Sequence, residues 1–283
     1  MTILMLRFGL GNQMFQYASA RAVAERRGDK LILDTSQLDI SFGGSPPRPY
    51  GLDVFRLQPN LVDRAVLQRT GQLPGLLPVF HENRLGFHEH ILNVCTRVYD
   101  SIVLVGAWQS HKYFEGIEYI IRRDFAFKDS VINRELGKRI ALESSSVCLH
   151  VRRGDFVSTQ LGAHMGFVGL DYYDRAVEYI NERVQNAHFY VFSDEIEWCA
   201  ANLDLKYPHT FVTNAGEAPT VAAQALYLMT RCHHFIIANS TFSWWGAWLG
   251  TNRDKIVVTP QKWFSDPQMG DSRDFIPDQW IRV

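Results

Sequence analysis

Short apolar runs alternate with helically patterned stretches along the whole chain, and this alternation restricts the fold more than any other feature. Residues 3–8 read as a buried strand, Gly9-Leu10-Gly11 as a turn, and residues 14–27 as a helix with Phe15, Ala18, Ala22 and Val23 on one face. Gly28 stops that helix and residues 30–34 form the next strand. Strand, helix, strand is the unit of a parallel sheet, because a parallel connection must travel back along the sheet before the next strand can start. A strand at 101–106 and a helix at 133–142 follow. The second half repeats the pattern, with strands at 147–152, 188–192, 235–238 and 255–259 and helices at 171–184, 220–230 and from 243. Residues 41–51 are a Gly-, Pro- and Ser-rich loop, and residues 60–100 show no clear period. The expectation is an α/β protein of two doubly wound units, divided between residues 128 and 146 and taken as 1–140 and 141–283.

Composition removes several classes of function. The formal net charge is -1, without the basic surplus of a general nucleic-acid binder. Cys95, Cys148, Cys199 and Cys232 form no C-x-x-C pair and read as buried thiols in a reducing compartment. The first residues lack the pattern of a signal peptide, and no apolar run approaches the roughly 20 residues of a membrane span. The expected location is the cytoplasm, with at most a peripheral contact at the inner face of a membrane.

Four segments carry chemistry. In Val147-Cys148-Leu149-His150-Val151-Arg152-Arg153-Gly154-Asp155 a strand stops at a Gly-Asp turn. Ligands of open α/β sheets sit beyond the carboxyl ends of strands, where an arginine can grip phosphate with two charged hydrogen bonds. The same arginine can instead latch onto Asp155. In Phe235-Ile236-Ile237-Ala238-Asn239-Ser240-Thr241-Phe242-Ser243 a strand runs into small polar residues and then a helix, which makes either an ordinary cap or an anion site. Gly9-Leu10-Gly11 begins like a dinucleotide fingerprint, but Met14 stands where a third glycine belongs. In Phe192-Ser193-Asp194-Glu195 a carboxylate beyond a strand end can accept from a guanine or a ribose, or open the next helix. No Asp-x-Asp occurs, and His233-His234 point to opposite faces of a strand, so no metal and no cofactor are expected.

Together these segments resemble a known family, the α-1,2-fucosyltransferases of glycosyltransferase family 11. The resemblance rests on residues 9–18 (Gly-Leu-Gly-Asn-Gln-Met-Phe-Gln-Tyr-Ala), Gly106-Ala107-Trp108-Gln109-Ser110, His150 to Asp155, Leu170-Asp171-Tyr172-Tyr173, Phe192 to Glu195, and residues 237–249. It implies a GT-B-like architecture, with two Rossmann-like domains facing across a cleft, the first on the acceptor side and the second on the donor side. It implies GDP-β-L-fucose as co-substrate, a β-galactoside-containing oligosaccharide as acceptor, inversion at the transferred sugar, no metal, and a context of O-antigen assembly. Arg152, with Arg153 second and His150 in the same motif, is implied at the donor phosphates. Asn239, Ser240, Thr241 and Ser243 are implied along the donor pocket, and Gly11 and Asn12 approach it from the other domain. Asp194 joins this donor set as the strand-end carboxylate. The family's acidic residue ahead of Leu228-Met229 is absent, since the chain has Ala223-Gln224-Ala225-Leu226, and Met165 to Gly169 departs from the family pattern.

The expected mechanism gives Arg152 the charge developing on the leaving phosphate. Asp155, then His164, are the candidates for the base that deprotonates the acceptor. Two other classes stay open: an NAD-dependent oxidoreductase built on the glycine turn, and a non-catalytic module that binds a GDP-sugar or a glycan.

Overall fold

The computed structural model describes all residues except 42–45, 63–76, 95–97, 214–219 and 267–271, and the side chains of Asp155, Gln160, Leu161 and Ala163. The chain forms two compact units, Met1–Ala126 with Gln268–Pro277, and Phe127–Pro267 with Asp278–Val283.

Unit 1 is built on a parallel five-stranded sheet in the order β3-β2-β1-β5-β4, with β1 Thr2–Met5, β2 Leu31–Asp34, β3 Asn60–Val62, β4 Val79–His81 and β5 Ile102–Val105. The central strands are buried on both faces and read as unbroken apolar runs, which is why they were visible in the sequence. Helix α1, Leu10–Arg27, starts four residues before the expected Met14. The Gly9 carbonyl accepts from the N–H groups of Asn12 and Gln13 at 3.0 Å each, so Leu10-Gly11-Asn12 is the first helical turn rather than a loop. Gly28 ends the helix in the left-handed conformation.

Unit 2 holds a parallel six-stranded sheet in the order β11-β10-β9-β6-β7-β8, with β6 Ser146–Val151, β7 His188–Ser193, β8 His209–Phe211, β9 His234–Ile236, β10 Val257–Thr259 and β11 Ile281–Arg282. Counted within the unit, this is the doubly wound order 3-2-1-4-5-6, and it reverses between β6 and β9. On one face Val147, Leu149 and Val151 pack against Tyr172, Tyr173, Ala176, Val177 and Ile180 of the helix Leu170–Asn181. Each such aliphatic side chain contributes roughly 1.5–3 kcal/mol of burial. The Tyr172 hydroxyl donates to the carbonyls of Ile237 (2.6 Å) and Val258 (3.2 Å), pinning this helix to the ends of β9 and β10. Cys148, Cys199 and Cys232 are free and buried, as expected; Cys95 lies outside the described residues. No described helix is long and apolar enough to cross a membrane.

Candidate active site

The reversal between β6 and β9 brings two of the sequence-flagged segments together, and the register of β6 with β7 brings in a third. Val151 lies opposite Ser193, so the residues that follow, Arg152-Arg153 and Asp194-Glu195, emerge side by side. Arg152 Nη1 is 3.1 Å from Asp194 Oδ2. Arg153 Nε donates to Glu195 Oε2 at 2.8 Å, and its backbone N–H donates to Asp194 Oδ1 at 3.1 Å. The Arg153 guanidinium also lies 4.1 Å from the ring centre of Trp198. Gly154 gives the Asp194 carboxylate room, since a Cβ there would run into Asp194 Oδ2 and push that side chain aside. Arg152 is thus paired with Asp194; the Asp155 side chain, the latch partner considered in the sequence, lies outside the described residues.

About a quarter of each side chain in the Arg152–Asp194 pair remains exposed. A half-open ion pair of this kind is worth little to stability and leaves the guanidinium poised for a stronger anion. His150, next to it, is buried and held neutral, its imidazole pushed down to about 3 by burial and then by the Arg152 charge. It packs 5.9 Å from Phe242, and its Nδ1 has no hydrogen-bond partner.

Beyond β9 the small polar side chains of the implied donor-pocket segment make their hydrogen bonds within unit 2. Asn239 is buried, and its Nδ2 donates to the carbonyls of Met165 (3.0 Å), Gly166 (2.9 Å) and Trp263 (3.0 Å). Ser240 caps the helix Thr241–Leu249, its Oγ accepting from Phe242 N at 3.3 Å. Ser243 is buried and donates to the Ser240 carbonyl at 3.3 Å. What this segment offers an anion is the start of the helix itself, with Thr241 half-buried at its first position.

In unit 1, Asn12 Oδ1 accepts from Gln109 Nε2, so the glycine turn and the Gly106–Ser110 segment meet at the carboxyl ends of β1 and β5. Gly11 is buried in the first turn of α1. Two non-glycine residues adopt positive φ at these strand ends, Phe8 (66°) and Trp108 (52°). Glu82 steadies the second of them: its Oε2 accepts from the N–H groups of Ala107 (2.7 Å) and Trp108 (3.0 Å), and burial raises its pKa. Glu82, Glu195, Trp198 and Asp266 were absent from the expected site. Glu82 sits in the stretch without a period, and Asp266 lies 102 residues from the side chain it contacts, His164, at 2.7 Å. Among the described residues, no group of three His, Cys, Asp or Glu is placed to hold a metal ion.

The sequence model of Glycosyl transferase family 11 matches residues 98–283. The chain belongs to glycosyl transferase family 11. It is 30% identical to the O-antigen biosynthesis glycosyltransferase WbnK of Escherichia coli, over 97% of this chain and 98% of that protein. It is 31% identical to an Escherichia coli alpha-1,2-colitosyltransferase, over 97% and 96%. The human galactoside alpha-(1,2)-fucosyltransferase 1 is 27% identical over 84% of this chain and 62% of its own length. Among solved structures, NodZ alpha-1,6-fucosyltransferase soaked with GDP-fucose superimposes with a TM-score of 0.52 at 17% identity, covering 88% of this chain and 92% of that one. A FUT1 mutant from Arabidopsis thaliana in complex with GDP gives 0.53 at 12% identity, covering 99% and 75%. The family 11 protein is thus a glycosyltransferase with the GT-B-like fold of these enzymes, two α/β units each with a parallel sheet. Family membership sets the oxidoreductase reading aside.

Proposed function

We propose that this glycosyltransferase moves L-fucose from GDP-β-L-fucose to the 2-hydroxyl of a terminal β-galactoside, inverting the sugar's anomeric centre and using no metal ion. The observation that carries this reading is the Arg152–Asp194 pair, half open at the reversal of the unit 2 sheet. When the diphosphate enters, Arg152 turns from a carboxylate to a dianionic group and grips it through two N–H donors. The helix start at Thr241 adds partial positive charge on the same side of the sheet order. As the glycosidic bond lengthens, negative charge grows on the leaving phosphate, and a fixed guanidinium offsets it. Asp194, released from Arg152, accepts from the guanine or the ribose. Arg153 stays with Glu195 and Trp198 and holds the turn in shape.

One assay tests the reading. The protein is incubated with GDP-fucose and lactose, and both GDP and 2-fucosylated lactose are measured. GDP release with a fucosylated product is expected. GDP binding without release would leave only a binding module. The alpha-1,2-colitosyltransferase relative favours a second donor, the 3-deoxy analogue GDP-colitose. Turnover of that donor with none of GDP-fucose would overturn the fucose assignment.

A further inference from the structure

A histidine–carboxylate pair stands outside the charge cluster, next in the chain to Met165 and Ser265, which line a cavity in unit 2. His164 Nδ1 lies 2.7 Å from Asp266 Oδ2, with the histidine side chain 55% exposed and the aspartate 25%. An ionised carboxylate can only accept, so Nδ1 donates to it and Nε2 is turned away from it. This is the arrangement by which a carboxylate orients an imidazole as a general base.

The frame around the pair is fixed from both sides. Ser265 N and Asp266 N donate to the carbonyls of Met165 and His164 at 3.2 Å each, and Ser265 Oγ donates to the His164 carbonyl at 2.9 Å. Gly166, at φ 77°, lets the chain turn directly against Ser265, where a Cβ would lie 2.6 Å from that side chain. The three bonds from Asn239 then tie Met165 and Gly166, beside His164, and Trp263, near Asp266, to the end of β9. Asn239 thus braces the pair at the reversal of the sheet.

The cavity beside it has a volume of about 300 Å³. Its walls include Phe167, Val168, Gln261, Lys262 and Phe264, with Arg175 among the residues around it. Aromatic faces together with amide and cationic donors suit a sugar ring, which has apolar C–H faces and a hydroxyl edge. These walls contain the segment Met165 to Gly169 that departs from the family pattern.

We propose that His164 is the base that takes the proton from the acceptor hydroxyl, that Asp266 is its positioning residue, and that this cavity receives the acceptor sugar; the proposal rests on the transferase reading above. The hydroxyl proton passes to His164 Nε2, and the hydroxyl oxygen forms its bond to the anomeric carbon. The bond from that carbon to the phosphate oxygen breaks, and its electron pair leaves with GDP. The imidazolium faces the Asp266 carboxylate until it returns the proton to water.

The test uses His164→Ala, Asp266→Asn and Val168→Trp in the full chain, each checked for a normal melting temperature and for GDP affinity. Transfer is measured with whichever donor and acceptor the unmodified protein turns over, so a wrong donor assignment does not decide the outcome. His164→Ala is expected to lose about 10²–10⁴ in kcat with GDP affinity unchanged. Free imidazole should restore at least ~10-fold of that loss, which a structural role would not allow. Asp266→Asn, which favours the wrong tautomer, should lose at least ~10-fold in kcat with little change in acceptor KM. Val168→Trp should raise acceptor KM by at least ~10-fold and leave donor affinity intact. A His164→Ala protein within ~3-fold of normal kcat, or one that imidazole does not rescue, overturns the base. An unchanged acceptor KM in Val168→Trp overturns the cavity assignment.

Discussion

The first strand of each unit ends in an arginine, one further residue and a glycine: Arg7-Phe8-Gly9 after β1, and Arg152-Arg153-Gly154 after β6. Around the first, the work is done by neutral amides. Gln13 is fully buried; its Nε2 donates to the carbonyls of Phe8 (2.7 Å) and Pro49 (2.9 Å), and its Oε1 accepts from Gly51 N (2.9 Å). Gln16 Oε1 accepts from Arg7 N at 3.1 Å. Around the second, the groups are charged and partly open to water. A buried amide with its bonds made, as at Gln13, specifies one backbone path, whereas a partly exposed ion pair is ready to exchange partners. The difference sets a turn framed by buried amides against one framed by a partly exposed ion pair.

That contrast can be broken experimentally. The largest effect is expected from Arg152→Ala, which should cut transfer by about 10²–10³ and barely move the melting temperature. An Arg152→Ala protein with near-normal turnover would remove unit 2's turn from the chemistry. Gln13→Leu should do the reverse, costing about 2–3 kcal/mol in chemical denaturation because the Phe8 and Pro49 carbonyls and the Gly51 N–H lose their partner. A loss below ~0.5 kcal/mol would mean that unit 1's amides are dispensable.

His150 sharpens the comparison through pH. It is neutral in the folded protein down to about pH 3, whereas its ordinary value is 6.5. Between those values the unfolded chain binds more protons, so stability falls as pH drops through this window, by up to about 1.4 kcal/mol per pH unit. Above 6.5 the group contributes no slope. Denaturation curves at pH 7, 6 and 5 should show a shallower acid loss in His150→Gln; an identical slope would place the acid sensitivity elsewhere. The two glycines give the smallest pair of effects. Gly154→Ala forces the Asp194 carboxylate aside and should lower transfer about tenfold, a cost of roughly 1.4 kcal/mol. Gly9→Ala meets nothing within 4 Å and should be silent in both assays. Equal effects at both positions would erase the distinction between the turns.

The legible part of the fold was the part buried on both sides. Strands β1, β5, β6 and β7 announce themselves because they are largely buried and mostly apolar. Strands β3, β4, β8 and β11 are two or three residues long and partly exposed, so they leave no period to read. Arg152 and Asp194 were legible as strand-end charges. Their pairing was not, since it depends on the register of β6 with β7. Asn239 shows the other limit: a small polar residue after a strand looks the same in sequence whether it touches a ligand or ties loops together. Nothing local to His164 points to Asp266, because their contact is made only by the completed fold.

The segment 272–277 belongs to unit 1, although residues of unit 2 precede and follow it. Within unit 1, Asp274 receives the Lys112 ammonium, the Phe87 N–H and, at its carbonyl, the Ser110 hydroxyl. During synthesis at about 5–20 residues per second, unit 1 waits for nearly the whole second unit to emerge before these bonds can close. The first unit made is therefore closed only near the end of the chain, just before β11 completes unit 2. Until then Phe87, Ser110 and Lys112 cannot make these bonds, for an interval set by the length of the neighbouring unit.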